Sequence, residues 1–206
     1  MPKNKLYANA KVSAALKKKF LTIEKIVWQY KLSPETVNLS ARKNVPEIEI
    51  FTVILRQSEL HPDVLKCIDN AIPFPTIYEL QFEDRIKMKA AFKRPSDADS
   101  NKWVTDIYFE SEWQPLGAKR ETLPVALDLG VLYEQILRRL MPVSSIDGEG
   151  IKDQVHRLTE IRSLEGQATK LEARMQKEKQ FNRKVELNAE LRKLKTAIKN
   201  LGDHAN

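Results

Sequence analysis

Apolar and polar positions along the chain change their period several times, and each change marks an element. Residues 13 to 30 place Leu16, Phe20, Ile23, Val27 and Tyr30 at steps of four, three, four and three, the spacing of one helical stripe. Ser13 stands where a cap belongs, and the lysines and Glu24 fall off the stripe, so the spacing predicts a helix that covers a sheet with one face. SPET at Ser33 to Thr36 reads as a cap and a first-turn proline. EIEIFTVIL, residues 47 to 55, passes from alternating acid and isoleucine to continuous apolar and β-branched residues, as a strand does on entering the centre of a sheet. In HPDVLKCIDNAI, Pro62 suits a helix's first turn, and Val64, Leu65, Ile68 and Ile72 recur at helical intervals.

Strict alternation follows. Thr76, Tyr78, Leu80 and Phe82 share one side of a strand, Glu83 and Asp84 offer a turn, and Ile86, Met88, Ala90 and Phe92 share one face of the next strand. Beyond RPSDADSN, residues Trp103, Thr105, Ile107, Phe109 and Trp113 alternate with Asp106, Glu110 and Glu112. The expected sheet is antiparallel, of about four strands, with one dry side. Arg85, Lys87, Lys89 and Lys93 line the outward face of the second hairpin strand, and the acids of the following strand are placed to neutralise them across the ladder. Asp128 can cap a helix striped by Leu129, Leu132, Tyr133, Ile136 and Leu140. The reading is an α+β core domain over residues 1–141, its sheet covered by helices, then a linker at 142–150.

Residues 151–202 contain no proline and carry two coiled-coil-like registers. Leu164, Ala168, Leu171 and Met175 step by four, three and four, as do Leu187, Leu191, Leu194, Ile198 and Leu201 with a further three. The 12 residues from Met175 to Leu187 break the phase, so the stripe slips within KEKQFNRKVELN. As one continuous helix, this arm would leave most of its leucine seam bare. Cover would come from a second copy, from folding back at the slip, or from another protein. The expected partner-binding residues are Leu164, Leu171, Met175, Phe181, Val185, Leu187, Leu191, Leu194 and Ile198.

Charge sharpens that picture. The 206 residues carry 35 Lys and Arg against 28 Asp and Glu, and five of the seven net positive charges lie beyond residue 150. A basic balance keeps nucleic acid among the candidate partners. Candidate phosphate contacts are Lys17, Lys18 and Lys19 near the front and Arg174, Lys177, Lys179, Arg183 and Lys184 on the arm, against the simpler reading of solvated helix faces. The lone Cys67 and three scattered histidines exclude a disulfide framework or a cysteine-rich zinc module. Cys67 is expected as a buried, inert thiol. MPKNKLYANAKVSAALKKKF lacks the apolar core of a signal peptide, and no run of apolar residues is long enough to span a membrane, so the cytoplasm is the expected location.

Catalytic signals are sparse. There is no glycine-rich phosphate loop, no GxSxG elbow and no metal-spaced pair of histidines or cysteines, so neither catalytic residues nor a cofactor is assigned. A metal-dependent nuclease would need carboxylates beside a strand lysine, and Glu79, Glu83, Asp84 and Lys87 supply the residue types at the wrong spacing.

The segments KLYANAKVSAALKKKF, IVWQYKLSPETVNL, EIEIF, DIYFESEWQPL, LYEQIL and KEKQFNRKVELNAELRKLK, in this order, resemble the bacterial and archaeal family known as domain of unknown function 4391. No catalytic signature accompanies the resemblance. It implies genomic company: genes of that family are often found beside helicases and DNA methyltransferases in restriction-like or phage-defence clusters. The expectation is therefore a non-catalytic accessory subunit that docks through its arm on a helicase or methyltransferase. The alternatives are a nuclease-like enzyme and a stand-alone DNA-binding dimer.

Overall fold

A computed structural model describes residues 13–99 and 102–202. The chain divides into two compact units, Met1–Met141 and Pro142–Asn206.

The first unit opens with α1 (Ala14–Lys19), capped by the Ser13 side chain, which accepts from the Leu16 N–H at 3.2 Å, and a 3-10 turn at Phe20–Thr22. It then runs β1 (Ile23–Leu32), α2 (Pro34–Val37), β2 (Ile48–Leu55), α3 (Pro62–Ala71), β3 (Thr76–Phe82), β4 (Arg85–Pro95), β5 (Trp103–Glu110), the short β6 (Gln114–Pro115) and α4 (Leu129–Leu140). The strand order is β1-β2-β3-β4-β5, with β6 also paired to β4.

Three expectations need correction. The helix foreseen over residues 13 to 30 stops at Lys19, and residues 23 to 32 are a strand. The register between β1 and β2 slips between Ile23 and Lys25, so Ile23 lies opposite Leu55 and Ile26 opposite Val53. A bulge resets the side-chain alternation and puts residues three apart on one face, which imitates a helical step. Ile23 and Ile26 are accordingly both buried with Val53 and Leu55.

The sheet is mixed and six-stranded instead of antiparallel and four-stranded, because β2 and β3 run parallel. The chain between them contains α3, and a helical crossover returns the next strand in the same direction. Nor is only one side dry. One face packs Phe51, Val53, Leu55, Tyr78 and Leu80 against Val64, Leu65 and Ile68 of α3. Positions of opposite parity, Ile48, Ile77, Ala90 and Phe109, are buried as well. The crossover helix covers the first face, and the six buried apolar side chains of α4 belong to none of its cluster.

Elsewhere local signals match the structure. Glu83 takes the left-handed conformation (φ 53°) that turns β3 into β4. Asp128 caps α4 by accepting from the Val131 N–H at 2.9 Å. Cys67 is buried, and burial pushes its thiol up.

The second unit is a helical hairpin. α5 (Ile151–Lys177) and α6 (Phe181–Gly202) are separated by Glu178, Lys179 and Gln180, at the place where the leucine registers slip. Ala168 and Leu171 of α5 pack against Leu187 and Leu191 of α6, with Met175, Leu194 and Ile198 around them. At the open end Arg157 is buried. It donates to Glu149 through Nε and Nη2 at 2.7 Å, to Ser144 O at 2.8 Å and to Leu201 O at 3.0 Å, tying α6's last turn to α5. The neighbouring Glu149 carboxylate holds the guanidinium charged.

Candidate functional site

Folding back at the slip consumes the seam. Leu171, Leu187 and Leu191 are buried, and Met175, Leu194 and Ile198 pack on them, so these expected docking residues form the hairpin's own core; Leu164 is half-buried. Phe181 and Val185 are different: they are 78% and 52% exposed. Four residues apart at the start of α6, they share a face turned away from the buried Leu187 and Leu191.

Near this pair in sequence come the cations of the turn. Arg174 and Lys177 end α5, Lys179 lies in the connection, and Arg183 and Lys184 begin α6. Arg183 is held by Glu186 at 2.5 Å. Glu178 folds onto the backbone, its Oε1 accepting from the N–H groups of Gln180 at 2.9 Å and Lys179 at 2.8 Å. Those two hydrogen bonds lower its pKa, with help from Arg183 and Lys184. The tip thus combines an exposed ring, an exposed valine and a cluster of cations.

The front lysines lie in the other unit. Lys17 and Lys18 are exposed on α1, while Lys19 pairs with Asp63 at 2.6 Å.

On β4 the basic strip is answered by its surroundings. Glu110 on β5 meets Lys89 at 2.6 Å and Lys87 at 3.1 Å, and Arg94 lies 3.6 Å from Asp106. Lys87 and Arg85 also sit 4.9 and 5.8 Å from the centroid of the Trp113 ring. Lys93, expected to face outward, points inward. Its ammonium donates to the Asp69 and Ile72 carbonyls at the C-terminal end of α3, at 2.6 Å for Asp69 O, and contacts Asp69 Oδ1 at 3.3 Å. The positive charge suits the negative end of that helix. Tyr108 donates to the other Asp69 oxygen, and Tyr133 bridges the Ala91 carbonyl and the Lys93 N–H at 2.5 and 3.1 Å. Burial lowers Lys93 and raises Asp69. The buried strand lysine missed by pattern reading therefore caps a helix. Its signal was the missing acid opposite residue 93: Lys93 faces Thr105 in the register.

The residues weighed for a nuclease do not converge. Glu79 faces Met88 across the ladder whereas Lys87 faces Leu80, so the carboxylate and the lysine lie on opposite sides of the sheet. Arg120 grips Glu79 at 2.8 and 3.2 Å, with Thr52 donating at 3.2 Å. Among the described residues, no group of three or more His, Cys, Asp or Glu side chains is assembled as a metal site. No helix among them is long and apolar enough to cross a membrane.

A family model, described as Domain of unknown function (DUF4391), matches residues 1–198. No curated protein and no solved structure matches the chain.

Proposed function

We propose that this chain, which belongs to the family described as Domain of unknown function (DUF4391), is a non-catalytic accessory subunit of a DNA-processing assembly and docks through the tip of its helical hairpin. One observation carries the reading. The hairpin hides its own leucine seam yet leaves Phe181 and Val185 bare among cations, although either would be less costly as a polar residue on a surface with no partner. The docking element is thereby narrowed from the whole seam to the turn between α5 and α6.

Capture from host cells tests the proposal. Tagged full-length chain should retain a helicase or methyltransferase subunit, and the double variant Phe181→Asp, Val185→Asp should release it while keeping the helical circular dichroism of the parent. Retention of the same subunit by the variant, or its absence from the wild-type eluate, would overturn the proposal.

A further inference from the structure

Between Lys170 and Glu186 the hairpin carries six cations and three carboxylates. All three carboxylates are engaged internally: Glu172 by Lys195 at 2.8 Å, Glu186 by Arg183, and Glu178 by backbone N–H groups. Lys170 lines a shallow groove with Gln167, Leu171, Arg174, Glu190 and Leu194. Closer to the turn, Arg174, Lys177, Lys179 and Lys184 close no ion pair among the described residues, and the last three lie within four residues of the exposed Phe181.

We propose that the hairpin tip binds single-stranded nucleic acid, with Arg174, Lys177, Lys179 and Lys184 meeting successive phosphates and Phe181 stacking on an unpaired base. The inference rests on the docking role of the hairpin and adds nucleic acid, held by the same assembly, to what the tip contacts. Charge complementarity selects a polyanion. An exposed ring within four residues of three of those cations suits one whose charges alternate with flat apolar faces, the combination that single strands offer and duplexes hide inside their stack. An acidic protein surface with an apolar pocket is the competing occupant, and displacement by polyglutamate separates the two. Because Glu178 already occupies the N–H groups of Lys179 and Gln180, the phosphates are met by side-chain charge, and binding must fall steeply with salt.

Fluorescence anisotropy of a labelled oligothymidylate titrated with the full chain tests this. Four phosphate contacts predict a log–log salt slope of about −3. Phe181→Ala should weaken binding about tenfold or more, and Lys177→Glu with Lys179→Glu should abolish it, both variants keeping the parent's circular dichroism and melting temperature. A duplex of equal length binding as tightly, or Phe181→Ala binding like the parent, would overturn the inference. Displacement of the oligonucleotide by polyglutamate as effectively as by unlabelled DNA would also overturn it, in favour of an acidic protein partner. In either case subunit capture from nuclease-treated host lysate still decides the docking role, because it reads the protein partner with no nucleic acid to bridge it.

Discussion

On β4, Lys87 and Lys89 meet Glu110, Arg85 and Lys87 lie against the Trp113 ring, and Lys93 turns inward to Asp69 and the end of α3. At the hairpin tip an equally dense run has, among the described residues, only Arg183 in an ion pair, while Arg174, Lys177, Lys179 and Lys184 stay exposed. The two strips look alike in sequence; their neighbours differ. A strand inside a sheet has another strand beside it, and here that strand carries acids in register. Within the described part of the second unit the turn of the hairpin has no further helix or strand, and its nearest carboxylates in sequence serve their own backbone or an adjacent arginine. A cluster of lysines is a binding signal only where the fold has not already spent it.

Breaking the β4 side should have the largest effect. Lys93→Met strips the donor from two helix-end carbonyls and leaves the Asp69 carboxylate buried without its cation, and removing one partner of such a pair costs about 3–5 kcal/mol. Lys179→Met at the tip should stay within about 0.5 kcal/mol of the parent. Equilibrium urea unfolding compares the two, and equal midpoints would mean that Lys93 does not hold α3.

Glu110→Gln sharpens the contrast at smaller cost. Losing a partly exposed ion pair should change stability by less than about 1 kcal/mol, yet it unmasks Lys87 and Lys89. The variant should elute from heparin at higher salt than the parent. An unchanged elution would show that Glu110 was not masking them.

The smallest effect is an acid one. The Val131 N–H and Arg42 hold the Asp128 carboxyl below its ordinary value. The folded-state pKa is therefore the lower one. The stabilisation is present above the unfolded carboxylate value of about 3.9 and is lost as pH falls through the folded value. Amide exchange at Val131 should quicken over that acid range in the parent, and in Asp128→Asn the acid dependence should flatten. Identical profiles in both proteins would remove Asp128 from the start of α4.

Much of the fold was legible residue by residue. Ser13 and Asp128 cap where their spacing places them, Glu83 turns the β3–β4 hairpin, and the break between α5 and α6 falls where two leucine registers fail to join. The parallel β2–β3 pair was also within reach, since a strand, a helix and a strand in succession imply a crossover. Ile23 misled because a bulge, like a helix, brings residues three apart to one face, here Ile23 and Ile26. At the candidate site, Phe181 and Val185 stood out by falling in the slip between registers, but only the folded hairpin separates them from the leucines.

By itself the sequence determined the elements whose causes are local: helix stripes, caps, turns, the seam's two registers and the burial of Cys67, all set by side chains within a turn or two of one another. Tertiary structure decided strand direction, the inward turn of Lys93, the separation of Glu79 from Lys87 and which cations stay bare. The physical reason is register: a one-residue bulge or a fold-back at Glu178 changes which distant side chain lies opposite, and no short-range pattern encodes that choice.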